Sequence, residues 1–456
     1  MTSCVLPGSE PDGAGAMMRR GACPSLARPM QTGDGLLVRL RPAADGLTPA
    51  ELKALAGAAV AHGSGILEIT ARGNLQIRGL TASSVPKLAA AIGEAGIAIA
   101  EGLAIETPPL AGFDPNEILD PRPLARALRS AISRERPALT LAPKLSIIVD
   151  GGGRLHLQDV AADLRLDAVN REDGLCWLLS IGGTARSARP VALLKPERVV
   201  PAAMTTLVEL STLGAAARGR DLNVGRIRAR CPFDGTLPAI AHGASPLPPA
   251  GIHDFGHSGL VLGLGLAFAQ TDAANLTAFV QRAEELGATE IRLAPRHGLL
   301  VMGFSSEAAV VAQSVAHSHG FLVSCDDPRN HIATCAGKGA CASALMDTKA
   351  AARLLVEVGP ALLDGSLVVH LSGCGKGCAK PTASPLTLVG APSGHALVVN
   401  GTASVAPSAY RGENEIRSAL ARLNALVQEN KDAGESARSC LTRLGTARIA
   451  AAFEQG

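Results

Sequence analysis

The stretch Gly35-Leu-Leu-Val-Arg-Leu-Arg41 decides the fold, because the chain repeats it as Gly259-Leu-Val-Leu-Gly-Leu-Gly265. Further along, Leu67-Glu-Ile-Thr-Ala-Arg-Gly-Asn-Leu-Gln-Ile-Arg-Gly79 has its counterpart in Ile291-Arg-Leu-Ala-Pro-Arg-His-Gly-Leu-Leu-Val-Met-Gly303. The offset of 224 residues that separates Gly35 from Gly259 also separates Gly79 from Gly303. It holds without gaps over about 45 residues, and a repeat of this kind indicates a duplicated architecture.

Each copy of the repeat reads as strand, helix, strand, turn, strand and helix. The predicted helices span 48–62 and 82–96 in the first copy, and 271–286 and 306–320 in the second. Thr48, Pro49 and Glu51 form a capping-box pattern, and Thr271 or Asp272 takes the N-cap position in the second copy. This order of elements is half of a ferredoxin-like split βαβ arrangement. We therefore predict two ferredoxin-like halves that pair into one pseudo-twofold domain.

A longer α/β segment follows each half, so the predicted fold class is α/β, of the α+β kind. The expected divisions are a disordered N-terminus (1–21), the first ferredoxin-like half (22–97), a first α/β domain (98–240), a linker (241–257), the second half (258–322) and a cysteine-bearing α/β domain (323–456). In the first segment we predict a helix over 123–133, a strand over 144–149, and a hairpin whose turn 150–153 leads into 154–157. In the second we predict a helix over 341–358, a strand over 367–371 and a helix over 413–428.

Composition excludes several classes of protein. With 456 residues, 47% of them hydrophobic and 18% charged, the chain is long enough for roughly two to four globular domains. A net charge of +3 and 2% aromatic residues give no indication of a nucleic-acid surface. No apolar run reaches transmembrane length and no secretory signal is visible, so we expect no membrane partner. Ten cysteines without such a signal predict reduced thiols in the cytoplasm.

Four cysteines in the last third carry the most specific motif. Cys335 and Cys341 have C-x5-C spacing, and Cys374 and Cys378 have C-x3-C spacing. Four thiolates suit a 4Fe–4S cluster, which takes one sulfur per iron, and a helix starting at Cys341 would direct its N–H groups toward it. The alternatives are a zinc site, where C-x2-C spacing is usual, and inert buried thiols. The remaining cysteines show no ligand spacing: Cys4, Cys23, Cys176, Cys231, Cys325 and Cys440.

A set of basic residues forms the second motif, and it belongs to the first half of the chain. Its members are Arg39, Arg41, Arg72, Arg78 and Lys144. Any one of them could be an ordinary solvated charge, but the second copy has Gly263 and Gly265 where the first has Arg39 and Arg41. Because one half is charged where its twin is bare, we predict a polyanion site on the first half, and the arginine fork suits carboxylates.

Histidines and acids suggest a metal site less specifically. His253, Asp254 and His257 are the residue types of a facial triad, but they lie in a Gly/Pro-rich stretch that favours a solvated loop. The sequence assigns no role to the remaining candidates, which are His156 with Asp159, His297 and His370.

From about residue 22 onward, the chain resembles the sirohaem-dependent sulfite/nitrite reductase superfamily. That superfamily has duplicated ferredoxin-like halves and a C-x5-C…C-x3-C cluster motif. The stretch around Arg72 and Gln76 resembles its Thr-x-Arg-x-x-x-Gln tetrapyrrole-binding motif, and Leu141-Ala-Pro-Lys144 resembles its Leu-Pro-Arg-Lys segment. The stretch 109–123 is similar to its connector after the repeat. The resemblance implies a 4Fe–4S cluster on Cys335, Cys341, Cys374 and Cys378, and tetrapyrrole carboxylates on Arg39, Arg41, Arg72, Gln76, Arg78 and Lys144.

Departures from the reductase pattern point to one branch of the superfamily. The second cysteine loop reads Cys374-Gly-Lys-Gly-Cys378 instead of Cys-Pro-Asn-x-Cys, and the connector lacks the usual Val-Arg-Asn. Together with Arg20-Gly-Ala-Cys-Pro-Ser-Leu26 and the run 370–381, these features resemble the precorrin-3B synthase branch, which serves aerobic cobalamin biosynthesis.

Membership of that branch would imply O2- and NADH-dependent hydroxylation and lactone formation on the tetrapyrrole precorrin-3A. It would also imply a mononuclear non-haem iron, whose ligands the sequence does not identify, and an electron-donating reductase as partner. The alternative is a sirohaem-dependent sulfite or nitrite reductase, in which Cys378 would bridge the cluster and the sirohaem iron. A non-enzymatic tetrapyrrole- or cluster-binding scaffold is a further alternative.

Overall fold

A computed structural model describes residues 24–172, 174–230 and 249–455 of the chain. The predicted disordered N-terminus and the first part of the predicted linker lie outside these residues. The helices are α1 (Pro49–His62), α2 (Ser84–Glu94), α3 (Pro121–Arg134), α4 (Pro196–Leu213), α5 (Val224–Arg230), α6 (Ala273–Glu285), α7 (Ser306–Ser318), α8 (Thr348–Val358), α9 (Ile416–Asn430) and α10 (Ala437–Glu454). The strands are β1 (Met30–Thr32), β2 (Gly35–Leu40), β3 (Ile66–Ile69), β4 (Leu75–Leu80), β5 (Ala104–Glu106), β6 (Ser146–Asp150), β7 (Ala162–Arg171), β8 (Gly174–Gly183), β9 (Arg189–Leu194), β10 (Gly251–Asp254), β11 (Leu260–Gly265), β12 (Gln270–Asp272), β13 (Glu290–Ala294), β14 (Gly298–Met302), β15 (Ile332–Thr334), β16 (Val369–Ser372), β17 (Ser384–Ala391), β18 (Gly394–Gly401) and β19 (Ala409–Arg411).

Both copies of the repeat form the predicted halves. In the first copy β4 lies between β2 and β3, and in the second β14 lies between β11 and β13, with antiparallel pairing throughout. Helix α1 begins with the predicted capping box, in which the Thr48 hydroxyl accepts from the backbone of Glu51 and the Glu51 carboxylate accepts from the backbone of Thr48. Asp272, and not Thr271, caps α6.

The two halves are joined by reciprocal strand pairing. Strand β12 of the second half pairs with β3 of the first, which places Thr271 opposite Leu67. In the same way, Leu47 of the first half pairs with Ile291 on β13, through two hydrogen bonds of 2.8 and 2.7 Å. These pairs are counterparts in the repeat, and one hydrophobic core spans both halves, with α1 packed against α6. The predicted pseudo-twofold domain is therefore confirmed.

The two α/β segments repeat a second pattern. Strands β5, β6 and β7 run parallel, and β8 and β9 continue the sheet antiparallel. Strands β15 to β19 have the same order and the same directions. Each sheet has its own hydrophobic core, covered by α3 and α4 in one case and by α8, α9 and α10 in the other. The α/β class of the prediction is confirmed, whereas the exact domain boundaries stay a prediction.

Two local predictions are wrong. Residues 154–157 form no hairpin, because β6 and β7 are parallel and the chain between them has to cross over instead of turning back. The helix predicted from Cys341 begins only at Thr348, where the Asp347 carboxylate caps it by accepting from the N–H groups of Lys349 and Ala350. The helix N-terminus that was predicted at Cys341, with its N–H groups directed toward the cluster, is therefore absent at that position.

The remaining differences concern strands near the predicted site residues. Strand β6 begins at Ser146, so that Lys144 lies in the turn before it and is exposed to solvent. His253 lies in β10, where it is buried, and not in a solvated loop. Helix α10 has no counterpart among the predicted elements.

None of the helices in the described segments is both long enough and apolar enough to cross a lipid bilayer.

The shared core predicts that the two halves unfold together. Phe279 is fully buried, and its ring centroid lies 5.0 Å from that of Phe321. Replacing it, Phe279→Ala, should lower the free energy of unfolding by about 3–5 kcal/mol in a single transition, measured by urea denaturation. The control Val60→Ala removes a side chain of α1 that is 62% exposed and should change it by about 0.5 kcal/mol or less. Two separate transitions for the ferredoxin-like halves would contradict the shared core.

Candidate functional site

The four motif cysteines lie at one edge of the second α/β sheet. Strands β15 and β16 are parallel neighbours, so that the loops that follow them leave the sheet at the same edge. The first loop starts at Cys335 directly after β15, and the second reaches Cys374 two residues after β16. The loops are tied together, because the Lys376 ammonium donates to the Ser343 hydroxyl at 2.6 Å and Leu345 N–H donates to the Gly373 carbonyl at 2.7 Å.

The chemistry of the loops fits an iron–sulfur cluster. The backbone N–H of Gly373 donates to the Cys335 sulfur at 3.1 Å. Burial raises the pKa of the Cys378 thiol, and the neighbouring thiols of Cys335, Cys374 and Cys341 add to the shift. Within the described residues, no three His, Cys, Asp or Glu side chains converge to hold a single metal ion. A cubane takes one thiolate at each iron, so its ligands do not have to meet at one point.

Arg78 connects the first ferredoxin-like half to the first cysteine loop. Its side chain is 6% exposed and forms ion pairs with Asp34 at 3.0 Å and Glu68 at 3.3 Å. The same guanidinium donates to the carbonyl of Ala340, the residue before Cys341, at 2.5 Å. The hydrogen-bonding capacity of Arg78 is therefore directed at the loop and at two carboxylates within the protein.

A chain of hydrogen bonds extends from Arg78 back along the sheet. The Gln76 amide donates to Glu68 at 2.7 Å, and Arg39 donates twice to the Gln76 carbonyl oxygen, at 3.0 and 2.7 Å. A polar network thus runs from Arg39 to the cysteine loop. Lys349 is outside this hydrogen-bonded chain and donates to the Thr334 hydroxyl at 2.7 Å; burial lowers its pKa to about 8, while the charge of Glu68 opposes the shift.

An arginine-rich cavity of about 320 Å³ lies where the first half meets the first α/β segment and β13. We call it the arginine cavity. Among its described lining residues, the charged ones are Arg41, Arg72, Arg122, Arg126, Arg129, Arg292, Asp45 and Glu106. The end of β2, the turn before β4, the connector after β5 and one face of α3 supply most of them. A concave surface with this excess of positive charge suits an anionic ligand.

Glu106 is one of the site residues that the sequence did not predict, together with the arginines of α3. It ends β5, and Arg72 forms an ion pair with it at 2.5 Å while also donating to the carbonyl of Ala161. Burial raises the pKa of Glu106, although the positive charges of Arg72, Arg41 and Arg39 oppose the shift. The only signal in the sequence was an acid next to the Pro-rich connector, which does not separate it from a solvated charge.

The structure brings together four of the six predicted tetrapyrrole-binding residues. The positive charges of Arg39, Arg41 and Arg72 each oppose the rise in the pKa of Glu106. Gln76 accepts a hydrogen bond from the Arg39 guanidinium. The other two lie elsewhere: Arg78 contacts the cysteine loop, and Lys144 is not among the lining residues of the arginine cavity.

The histidine candidates are dispersed over the fold. His297 is a hydrogen-bonding partner of the Ile69 carbonyl at 2.5 Å, and Asp159 pairs with Arg296 instead of with a histidine. His370 is fully buried beside Gly377 of the second cysteine loop, and neither ring nitrogen has a hydrogen-bond partner among the described residues. Burial lowers the pKa of His370 to about 4, with a contribution from Lys380.

Removing the Arg78 side chain tests the link between the sheet and the cysteine loop. Arg78→Ala leaves Asp34 and Glu68 without their buried cation and should lower the free energy of unfolding by about 3 kcal/mol or more in urea denaturation. The control Arg417→Ala breaks an exposed pair with Glu357 and should leave the urea midpoint unchanged within error. Equal midpoints for both variants would contradict this structural role for Arg78.

Comparison with known proteins agrees with this fold. Residues 28–95 match the family model of the nitrite/sulfite reductase ferredoxin-like half domain. The chloroplastic ferredoxin–nitrite reductase of Zea mays is 24% identical over 76% of this chain and 68% of its own length. The structure of the Mycobacterium tuberculosis NirA protein superposes with a TM-score of 0.68 at 18% identity, covering 91% of this chain and 84% of that one, a likeness of fold.

A curated precorrin-3B synthase from a Sinorhizobium species is 60% identical to this chain, and the match covers 100% of this chain and 99% of that protein. With identity of this extent over the full length of both proteins, the chain belongs to the precorrin-3B synthase family, a branch of the sulfite/nitrite reductase superfamily.

Proposed function

We propose that this protein converts precorrin-3A to precorrin-3B in aerobic cobalamin biosynthesis. The full-length relative at 60% identity carries the proposal. In the reaction, O2 supplies one oxygen atom to C20 of the macrocycle and releases the other as water, NADH supplies two electrons, and an acetate of ring A closes a γ-lactone. The pairing of an arginine cavity with four clustered thiols supports this assignment, because the reaction needs both carboxylate recognition and electrons.

The cysteine loops are the proposed place of the 4Fe–4S cluster, held by Cys335, Cys341, Cys374 and Cys378. The cluster would supply electrons one at a time, received from NADH through a separate reductase. The chain's own contribution is to fix the loops, through the Gly373 N–H bond to Cys335 and the Lys376–Ser343 bond.

Among the residues that the structure describes, no ligand set matches the mononuclear iron expected from the family. Within the described residues no three His, Cys, Asp or Glu side chains converge on one point, and His253, Asp254 and His257 lie on or beside an edge strand. We therefore assign no step to such an iron.

The arginines of the first half orient the substrate in this proposal. Arg41 and Arg72 line the cavity, and Arg39 is held beside them by Gln76, so that carboxylate arms of the tetrapyrrole meet preset guanidinium groups. Fixing the macrocycle in this way places the reacting carbon, a contribution that lowers the barrier by removing orientational freedom. Glu106 holds the Arg72 fork in position until a substrate carboxylate arrives.

A visible spectrum separates this proposal from the alternative, a sirohaem-dependent reductase. The protein purified without oxygen should show a broad shoulder in the near-violet and no sirohaem band. Cys374→Ser should abolish the shoulder, and Cys325→Ser, which changes an exposed cysteine outside the motif, should retain it. A strong sirohaem spectrum that survives gel filtration would favour the reductase.

Arg72→Ala tests the carboxylate clamp. Because a charge-assisted hydrogen bond is lost, tetrapyrrole binding should weaken by about tenfold or more, while the cluster absorbance stays the same. The matched control is Arg296→Ala, the counterpart in the second copy, whose exposed side chain pairs with Asp159 and which should bind like the wild type. Loss of cluster absorbance in Arg72→Ala would mean that Arg72 is needed for the fold instead.

A further inference from the structure

We propose that Arg126 and Arg129 on α3, together with Arg41, form a second carboxylate-binding subsite of the arginine cavity. This inference rests on the proposed function and extends it, because neither the sequence motif nor the family resemblance assigns a role to α3. The subsite would take carboxylate arms of the tetrapyrrole next to those held by Arg72.

The first observation is that, in the part of the chain that the structure describes, three arginines of the cavity form no ion pair with a carboxylate. Arg72, Arg122 and Arg292 have carboxylate partners, which are Glu106, Asp120 with Asp45, and Glu290. Within the described residues, the side chains of Arg41 and Arg129 donate only to backbone carbonyls, those of Gly102 and Ile105, at 2.8 Å each. The Arg126 side chain forms no hydrogen bond or ion pair with any described residue. Among the described residues, none of these three guanidinium groups therefore has a carboxylate within ion-pair distance, although Glu106 and Asp45 lie in the same cavity.

The second observation is that these charges repel one another where they stand. Arg122, Arg126 and Arg129 follow at spacings of four and three along α3, so they share one face of the helix. Like charges at these spacings weaken a helix, and Arg41 approaches the same face from the end of β2. The pKa of Arg129 is lowered by burial, and next by the positive charge of Arg41, while Asp45 and Arg126 act on it in opposite senses. Repulsion between these like charges destabilises the cavity when it is empty, and a bound anion would relieve it.

The size and position of the cavity suit the carboxylate arms of a tetrapyrrole better than the entire tetrapyrrole. At about 320 Å³ it is at the lower end of small-molecule pockets, so it suits the arms of a macrocycle and not the ring. It is continuous with Arg72, which the proposed function assigns to the same ligand. Helix α3 supplies its arginines directly beside the connector after β5, which lines the same cavity.

Binding of uroporphyrin, a stable octacarboxylate, tests the subsite in the full-length protein. The double variant Arg126→Gln/Arg129→Gln should weaken uroporphyrin binding by about 10- to 100-fold and reduce its dependence on salt concentration, because charge-assisted hydrogen bonds are lost. The control Arg134→Gln/Arg220→Gln removes two charges at exposed positions outside the cavity and should stay within about twofold of the wild type. Thermal unfolding measured for each variant separates lost binding from lost folding.

A second ligand distinguishes a carboxylate subsite from a phosphate site. The probe is inorganic pyrophosphate, whose binding should be equal in the wild type and in Arg126→Gln/Arg129→Gln. Unchanged uroporphyrin affinity in the folded double variant, or a loss confined to pyrophosphate, would overturn the subsite. The proposed function is tested separately by conversion of precorrin-3A: a wild type that binds uroporphyrin but converts no precorrin-3A would refute the function and leave the subsite standing.

Discussion

The whole arrangement depends on the reciprocal pairing of Leu47 with Ile291 and of Thr271 with Leu67. Each half alone would leave the outer edge of β3 or β13 open, and open edges invite pairing with other chains. The segment that closes each edge leads directly into a helix of its own half, so closing both edges also brings α1 against α6. The two sheets are thereby held in one orientation, and this orientation sets where the arginines of one half stand relative to the cysteine loops.

The difference between the halves has a steric cause as well as a chemical one. A side chain at Gly263 would come within 1.9 Å of the Pro249 carbonyl oxygen, and one at Gly265 would meet Leu322 at 3.2 Å. The second copy therefore has glycine at both positions because Pro249 and Leu322 occupy the space that a side chain would need. The corresponding face of the first copy carries Arg39, whose guanidinium is held by Gln76 and joins the network toward the cysteines.

The sequence was sufficient to predict the elements that are marked by the internal repeat or by a helix-capping pattern. The repeat predicted both halves, and the capping box at Thr48 and Glu51 predicted the start of α1. It failed where long-range contacts override local pattern: Asp347 starts α8 six residues after Cys341, and the parallel direction of β6 and β7 forbids the predicted hairpin. The α3 arginines and Glu106 escaped notice because an isolated charge looks the same in sequence whether it faces water or a cavity.

The two α/β sheets have the same strand order, so the end of the first strand of one sheet is equivalent in the fold to the end of the first strand of the other. Strand β5 ends at Glu106, in the wall of the arginine cavity, and its equivalent β15 ends at Thr334, directly before Cys335. One backbone scaffold thus carries acids and arginines at one copy of this position and thiols at the other. Substitutions in the connector after β5 can reshape the pocket without entering either cysteine loop, so ligand preference and thiol chemistry are free to vary independently within a single chain.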